Sequence, residues 1–186
     1  MESKVKLAGH AVHPMLIVFP LGLLATSVGF DLVSLVGGNP RWTVMAFYLI
    51  GVGVAIGLLA AVPGWLDWWV IPRGTRAKRI GLLHGAGNVA VLALFALSWL
   101  LRRPNPAEPP TGAIVAGLVA FGIAGVTAWL GGELVQRLGV AVDAGAHLDA
   151  PSSLSSQPAT GRAGDRRRNL ATAYQGIERR VAGLAR

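Results

Sequence analysis

Four long apolar stretches alternate with short polar segments along the chain. A run of about 20 apolar residues, rising about 1.5 Å per residue as a helix, crosses the hydrocarbon core of a bilayer. The pattern predicts spans over about residues 14–36, 42–62, 80–101 and 111–132. The expected fold class is therefore all-α: an integral membrane bundle of four transmembrane helices, with a flexible basic C-terminal tail.

Pro14 suits the first turn of span one, where its missing N–H costs nothing. Pro20 lies inside that span and predicts a kink, which neighbouring helices can satisfy. Gly37-Gly38-Asn39-Pro40 reads as a tight turn. In span two, Gly53, Gly57 and Ala61 form a small-residue stripe that lets another helix approach closely. Pro63-Gly64 is expected to end or bend that helix. Arg73, Arg76, Lys78 and Arg79 make a basic loop. His84 and Asn88 open span three, four residues apart and so on one face. A Pro-rich loop separates it from span four, which carries Ala116, Ala120, Ala124 and Ala128 at helical spacing and ends in Gly131-Gly132-Glu133. No internal repeat with a shared motif is visible. The transmembrane domain is expected over residues 1–142, with a flexible linker over 143–165. In the tail, 166–186, Leu170, Tyr174, Ile177, Val181 and Leu184 recur at spacings of 3 and 4. That segment reads as a basic amphipathic helix or a disordered basic tail.

Composition agrees with the bilayer as partner. Hydrophobic residues are 53% of the 186 and charged residues 14%, against about 25% charged in average soluble chains. The net charge of +8 sits beside apolar runs, so it speaks for orientation and anionic lipid headgroups and not for nucleic acid. With no cysteine, disulfides and thiolate ligation by this chain are excluded. The first apolar run is too long for a signal peptide and lacks a clean cleavage site, so a retained first span is expected. Fourteen basic residues fall on one side of the predicted spans and three (Arg41, Arg102 and Arg103) on the other. Both termini are therefore expected in the cytoplasm, in a multi-pass protein of the cell membrane.

Antiparallel spans bring His13, Asp67, His84, Asn88 and Glu133 to the face that carries the termini. Ionisable groups at that depth turn to the bundle or to water. Trp65, Trp68 and Trp69 suit an interfacial belt, with Trp65, Trp68 and Asn88 supporting the cluster. His13, Asp67, His84 and Glu133 are the candidate metal ligands, and His13 and His84 the candidate cofactor-binding pair. At the other face, Asp31 is expected near Arg102 or Arg103, since spans one and three both end there.

His13-Pro14 leading to Phe19-Pro20, Ala61-x-Pro63-Gly64-x-x-Asp67-Trp68, His84 with Asn88, and Trp129-x-Gly131-Gly132-Glu133-Leu134-Val135 form one ordered set, followed by Gly139-Val140-x-Val142. Together they resemble the bacterial membrane family catalogued as domain of unknown function 2231 (DUF2231), over roughly residues 10–142. The resemblance implies architecture; attachment of such domains to Rieske-type iron–sulfur domains hints at redox chemistry and a redox partner protein. The family often has a second histidine before Phe-Pro, where this chain has Val18.

Three functional readings stand. Imidazole suits haem iron and divalent metals, so His13 and His84 can ligate, with Asp67 and Glu133 as ligands or orienting partners. A histidine beside a carboxylate can also handle protons at a quinone site, near a pKa of about 6.5. The same residues can instead be structural, in a membrane or assembly subunit with no cofactor. No phosphate loop or Ser-His-Asp order is present, and no enzyme class is assigned.

Overall fold

The computed structural model describes residues 1–155; the tail at 166–186 and the later part of the expected linker lie outside them. A two-stranded hairpin opens the chain, with β1 at Lys6–Leu7 and β2 at His10–Ala11. Its turn residues Ala8 and Gly9 both have positive φ, as a tight two-residue hairpin turn requires. The helices follow as α1 (Val12–Leu16), α2 (Val18–Gly37), α3 (Arg41–Val70), α4 (Arg76–Arg102) and α5 (Thr111–Gly132), and α5 runs into a π-turn at Glu133–Arg137. Val12–Gly37, Arg41–Val70, Arg76–Arg102 and Thr111–Arg137 are each long and apolar enough to cross a bilayer. The molecule is an all-α membrane bundle of four spans.

Local sequence explains where the helices break. Pro20 has no N–H for the carbonyl of Leu16, and the first span divides at Ile17 into α1 and α2. Gly38 takes the left-handed conformation after α2, and its N–H bonds the Ser34 carbonyl at 2.8 Å. Thr75 caps α4 by accepting from the Lys78 N–H at 3.1 Å.

Of the two outcomes expected at Pro63, an end or a bend, the end is not seen: the helix does not stop at residue 62, and α3 continues through the proline to Val70. Pro63 is buried, and membrane helices keep an internal proline when neighbours satisfy the freed backbone groups. The continuation carries Asp67 and the three tryptophans on helix, not loop.

The core is small. Leu24, Val28, Ile50, Val91, Phe95 and Ala120 form its centre, while residues such as Leu58, Leu59, Leu82 and Leu83 face outward, as they do where lipid is the solvent. Gly53 and Gly57 make the close approaches. A methyl group at Gly53 would meet Leu24 Cδ2 at 2.8 Å, and one at Gly57 would meet Leu92 Cδ2 at 2.6 Å.

Candidate functional site

The face that carries the N-terminus holds every expected site residue. His13 sits in α1, one residue before Pro14. Its Nδ1 lies 2.8 Å from the main-chain oxygen of Ala60 on α3. The ring rests on Gly64, where a methyl group would come within 2.8 Å of it. His84 repeats this arrangement on the other half of the bundle. Its Nδ1 lies 2.8 Å from the main-chain oxygen of Thr127 on α5, and its ring rests on Gly131, where a methyl group would come within 3.1 Å. Both rings are partly buried.

A carbonyl oxygen only accepts, so each Nδ1 carries a proton, and in a neutral ring Nε2 keeps its lone pair. His84 uses that lone pair. Asn88 Nδ2 donates to His84 Nε2 at 3.2 Å and to the His84 carbonyl at 2.9 Å. Thr127 Oγ1 stands 3.1 Å from Asn88 Oδ1 and 3.0 Å from the Ala124 carbonyl. The expected role of Asn88 as a supporting group is thus a direct bond to the imidazole.

The carboxylates go elsewhere. Asp67 is buried and accepts from Ser3 Oγ, at 2.9 and 2.7 Å to its two oxygens, and from the Lys4 N–H at 2.6 Å. The N-terminal residues thereby form a strap across this end of the bundle. The terminal amine bonds the Gly139 carbonyl at 2.7 Å, and Lys6 bridges Glu2 at 2.8 Å and Asp143 at 2.6 Å. Glu133 pairs with Arg76 at 3.3 Å through one oxygen. Its second oxygen is buried without a hydrogen-bond partner among the described residues.

The expected four-residue metal set of His13, Asp67, His84 and Glu133 therefore does not gather around one point. Among the described residues, no group of three or more histidine, cysteine, aspartate or glutamate side chains could hold a metal ion. The reason is competition. A short strap reaches Asp67 and a neighbouring guanidinium reaches Glu133, while each imidazole finds a carbonyl on its own helical hairpin. The two imidazoles remain as the paired feature.

The tryptophans divide. Trp65 is exposed and stands edge-on to Trp69, at 5.5 Å between ring centres. Trp68 is partly buried. Its Nε1 donates to the Lys78 carbonyl at 3.1 Å, and the Lys78 ammonium lies 3.8 Å from its ring centre. That ammonium also bonds the Trp68 carbonyl at 2.7 Å, tying the end of α3 to the start of α4.

Sequence reasoning missed Ser3, Arg76 and Thr127. Thr127 had a signal, as a lone hydroxyl between Val126 and Ala128 in an apolar span. Ser3 had none, because its role depends on the strap folding back. No curated protein and no solved structure matches the chain. The sequence profile described as "Predicted membrane protein (DUF2231)" matches residues 9–144, which take in all four spans, and the chain belongs to that family.

Proposed function

We propose that the chain is a redox-associated membrane protein in which His13 and His84 would hold a haem, at the membrane face that carries the termini. The observation that carries this reading is the shared anchoring of the two rings: Nδ1 on a main-chain carbonyl at 2.8 Å in both. Ligating histidines are held this way, the second nitrogen's hydrogen bond fixing the tautomer and raising the basicity of the ligating one. Two neutral imidazoles would hold such a group by their Nε2 atoms, with no carboxylate needed. They do not suit a His/carboxylate metal site, since Asp67 and Glu133 have other partners. When bound, haem supplies one-electron transfer. The chain's own part is to hold both rings against glycine backbone and to turn Asn88 Nδ2 away from His84 Nε2.

The test is the absorption spectrum of full-length protein purified from cells supplied with haem precursor, oxidised and then reduced. Haem bands that vanish in both His13→Ala and His84→Ala support the reading. A colourless, well-folded parent, or bands that survive both substitutions, overturns it.

A second reading has its own observation. The His84–Asn88–Thr127 network closes without any added group, which suits a structural seam in a subunit with no cofactor. A colourless parent that loses stability on Asn88→Ala favours that outcome.

The charge distribution supports cytoplasmic termini, fourteen basic residues against three. Tags at either end should resist protease added to intact cells; digestion of either from outside reverses this orientation. The tail at 166–186 is assigned to anionic lipid headgroups by its basic residues and apolar spacing. Equal binding of full-length and tail-truncated protein to anionic vesicles at low salt would remove that role.

A further inference from the structure

We infer that the bundle is a duplicated hairpin, so that the face which spans one and two turn toward spans three and four fits a second copy of the same hairpin. No repeat with a shared motif is visible in the sequence; the likeness lies in positions, bonds and burial taken together. This inference shares the two imidazole seats with the haem reading but requires no haem, and its test lies at the opposite membrane face.

His13 and His84 give the register. Asp31 follows the first by eighteen residues and Arg102 follows the second by eighteen. These two are also each other's partners, 71 residues apart in the chain. Four of the five buried positions on α2 have buried counterparts: Pro20, Leu24, Ser27 and Asp31 match Val91, Phe95, Ser98 and Arg102 on α4, while buried Val28 matches half-buried Trp99. Identities survive at alternating places: Val18 with Val89, Leu21 with Leu92, Leu23 with Leu94, Ala25 with Ala96 and Ser27 with Ser98.

The second helices agree in a register of their own. Ala60 and Thr127 each offer a carbonyl to an imidazole, and each is followed four residues later by the glycine that the ring rests on. Counting back from those carbonyls, buried Ala46 and Gly53 on α3 match buried Ala113 and Ala120 on α5. Counting forward, buried Asp67 matches buried Leu134. The two registers differ because 47 residues separate imidazole and carbonyl in the first hairpin and 43 in the second; the helices of the second hairpin are shorter, and its longer linker makes up only part of this. This explains why the repeat escapes a scan at one fixed spacing.

Equivalent positions that touch each other lie next to the axis relating the two copies. Asp31 and Arg102 do so, and the site around them is built for exchange. Arg102 Nε donates to Ser98 Oγ at 3.2 Å, four residues earlier on its own helix. Ser27 stands four residues before Asp31 and is fully buried. Its hydroxyl now bonds the Leu24 carbonyl at 2.7 Å. An arginine placed at 31 would therefore find the same serine seat that Arg102 uses.

The test uses the full chain with Asp31→Arg, Arg102→Asp and the double exchange, followed by thermal unfolding in one detergent. Each single change should lower Tm and yield by setting like charges together in a dry site. The double exchange should recover monodisperse protein with most of the parent's Tm. Any reversed ion pair recovers to some degree, so the serines decide. Ser98→Ala should lower the Tm of the parent more than Ser27→Ala does. In the exchanged protein the order should reverse, with Ser27→Ala the more costly. An exchanged protein no better than the singles, or one whose dependence stays on Ser98, overturns the duplication.

Discussion

The Asp31 carboxylate and the Arg102 guanidinium meet in a two-pronged ion pair inside the bundle, with bonds of 2.7 and 2.6 Å. The side chains are 2% and 0% exposed, so neither can reach water without the helices parting. Of the two arginines at the end of α4, Arg102 is the one that pairs; Arg103 lies over the Trp99 ring at 5.3 Å. Geometry so complete does not make the pair a net source of stability, because both charges have been taken out of water.

Breaking the pair and deleting it should therefore differ in sign. Arg102→Met leaves a buried carboxylate alone and should cost about 3–5 kcal/mol. Asp31→Leu with Arg102→Met removes both charges and should be neutral or stabilising by about 1–4 kcal/mol. Thermal unfolding of the three proteins side by side checks this. A double variant as unstable as the single one would show that the pair itself holds the helices.

Gly64 should be far more sensitive than its place in a long helix suggests. Gly64→Ala puts a methyl group within 2.8 Å of the His13 ring. The ring must leave the Ala60 carbonyl or the helices must part, at about 1–3 kcal/mol for overpacking. Gly22→Ala meets nothing within 4 Å and should be tolerated. Paired melting curves make the comparison, and equal Tm values would argue against the tight ring seat.

Asn88→Ala should destabilise the bundle by about 1–3 kcal/mol, since it strips the partner from a partly buried imidazole nitrogen. Asn88→Asp is the sharper variant. A carboxylate cannot donate to His84 Nε2, so the ring must take a proton there or turn away. Histidine resonances followed by NMR across neutral pH should report a changed protonation of His84; an unchanged resonance would mean that Asn88 is not its partner.

The strap should hold at neutral pH and loosen at both extremes. Lys6 is raised above the ordinary lysine value, first by its hydrogen bond to Asp143 and then by that to Glu2. Glu2 is lowered below the ordinary carboxylate value, first by its bond to Lys6 and then by the Ala144 N–H. A raised lysine contributes below its unfolded value, and that contribution is lost as pH rises through the folded one. A lowered glutamate contributes above its unfolded value and loses it as pH falls through the folded one. Amide exchange of residues 3–12, corrected for intrinsic rates, should be slowest between these limits. Asp67→Asn should speed it at every pH by removing a carboxylate that holds Ser3 and Lys4. Exchange independent of both would detach the strap from these groups.

Much of the architecture was legible because membrane topology is a local property. Four apolar runs gave four spans, and alternation of direction put His13, Asp67, His84 and Glu133 at one face and Asp31 with Arg102 at the other. Pro20 broke its helix as its missing donor requires. Pro63 did not: α3 runs through it to Val70 with the proline buried, a placement the local sequence does not show.

What tertiary structure alone decided is which polar group meets which. In water, an apolar stripe shows which face of a helix turns inward. Here lipid is as apolar as the core, so the spans carry leucine and valine all round and the stripe is absent. Rotation about the helix axis was therefore readable only where small residues marked a face, as Gly53 and Gly57 did on α3, and the choice among partners at one depth was not. The sequence by itself determined depth, direction and the residues present at each face. The fold decided that Asp67 belongs to the strap, Glu133 to Arg76 and each histidine to a carbonyl of its own hairpin. Close glycine approaches set those rotations, and they exist only once the helices have packed.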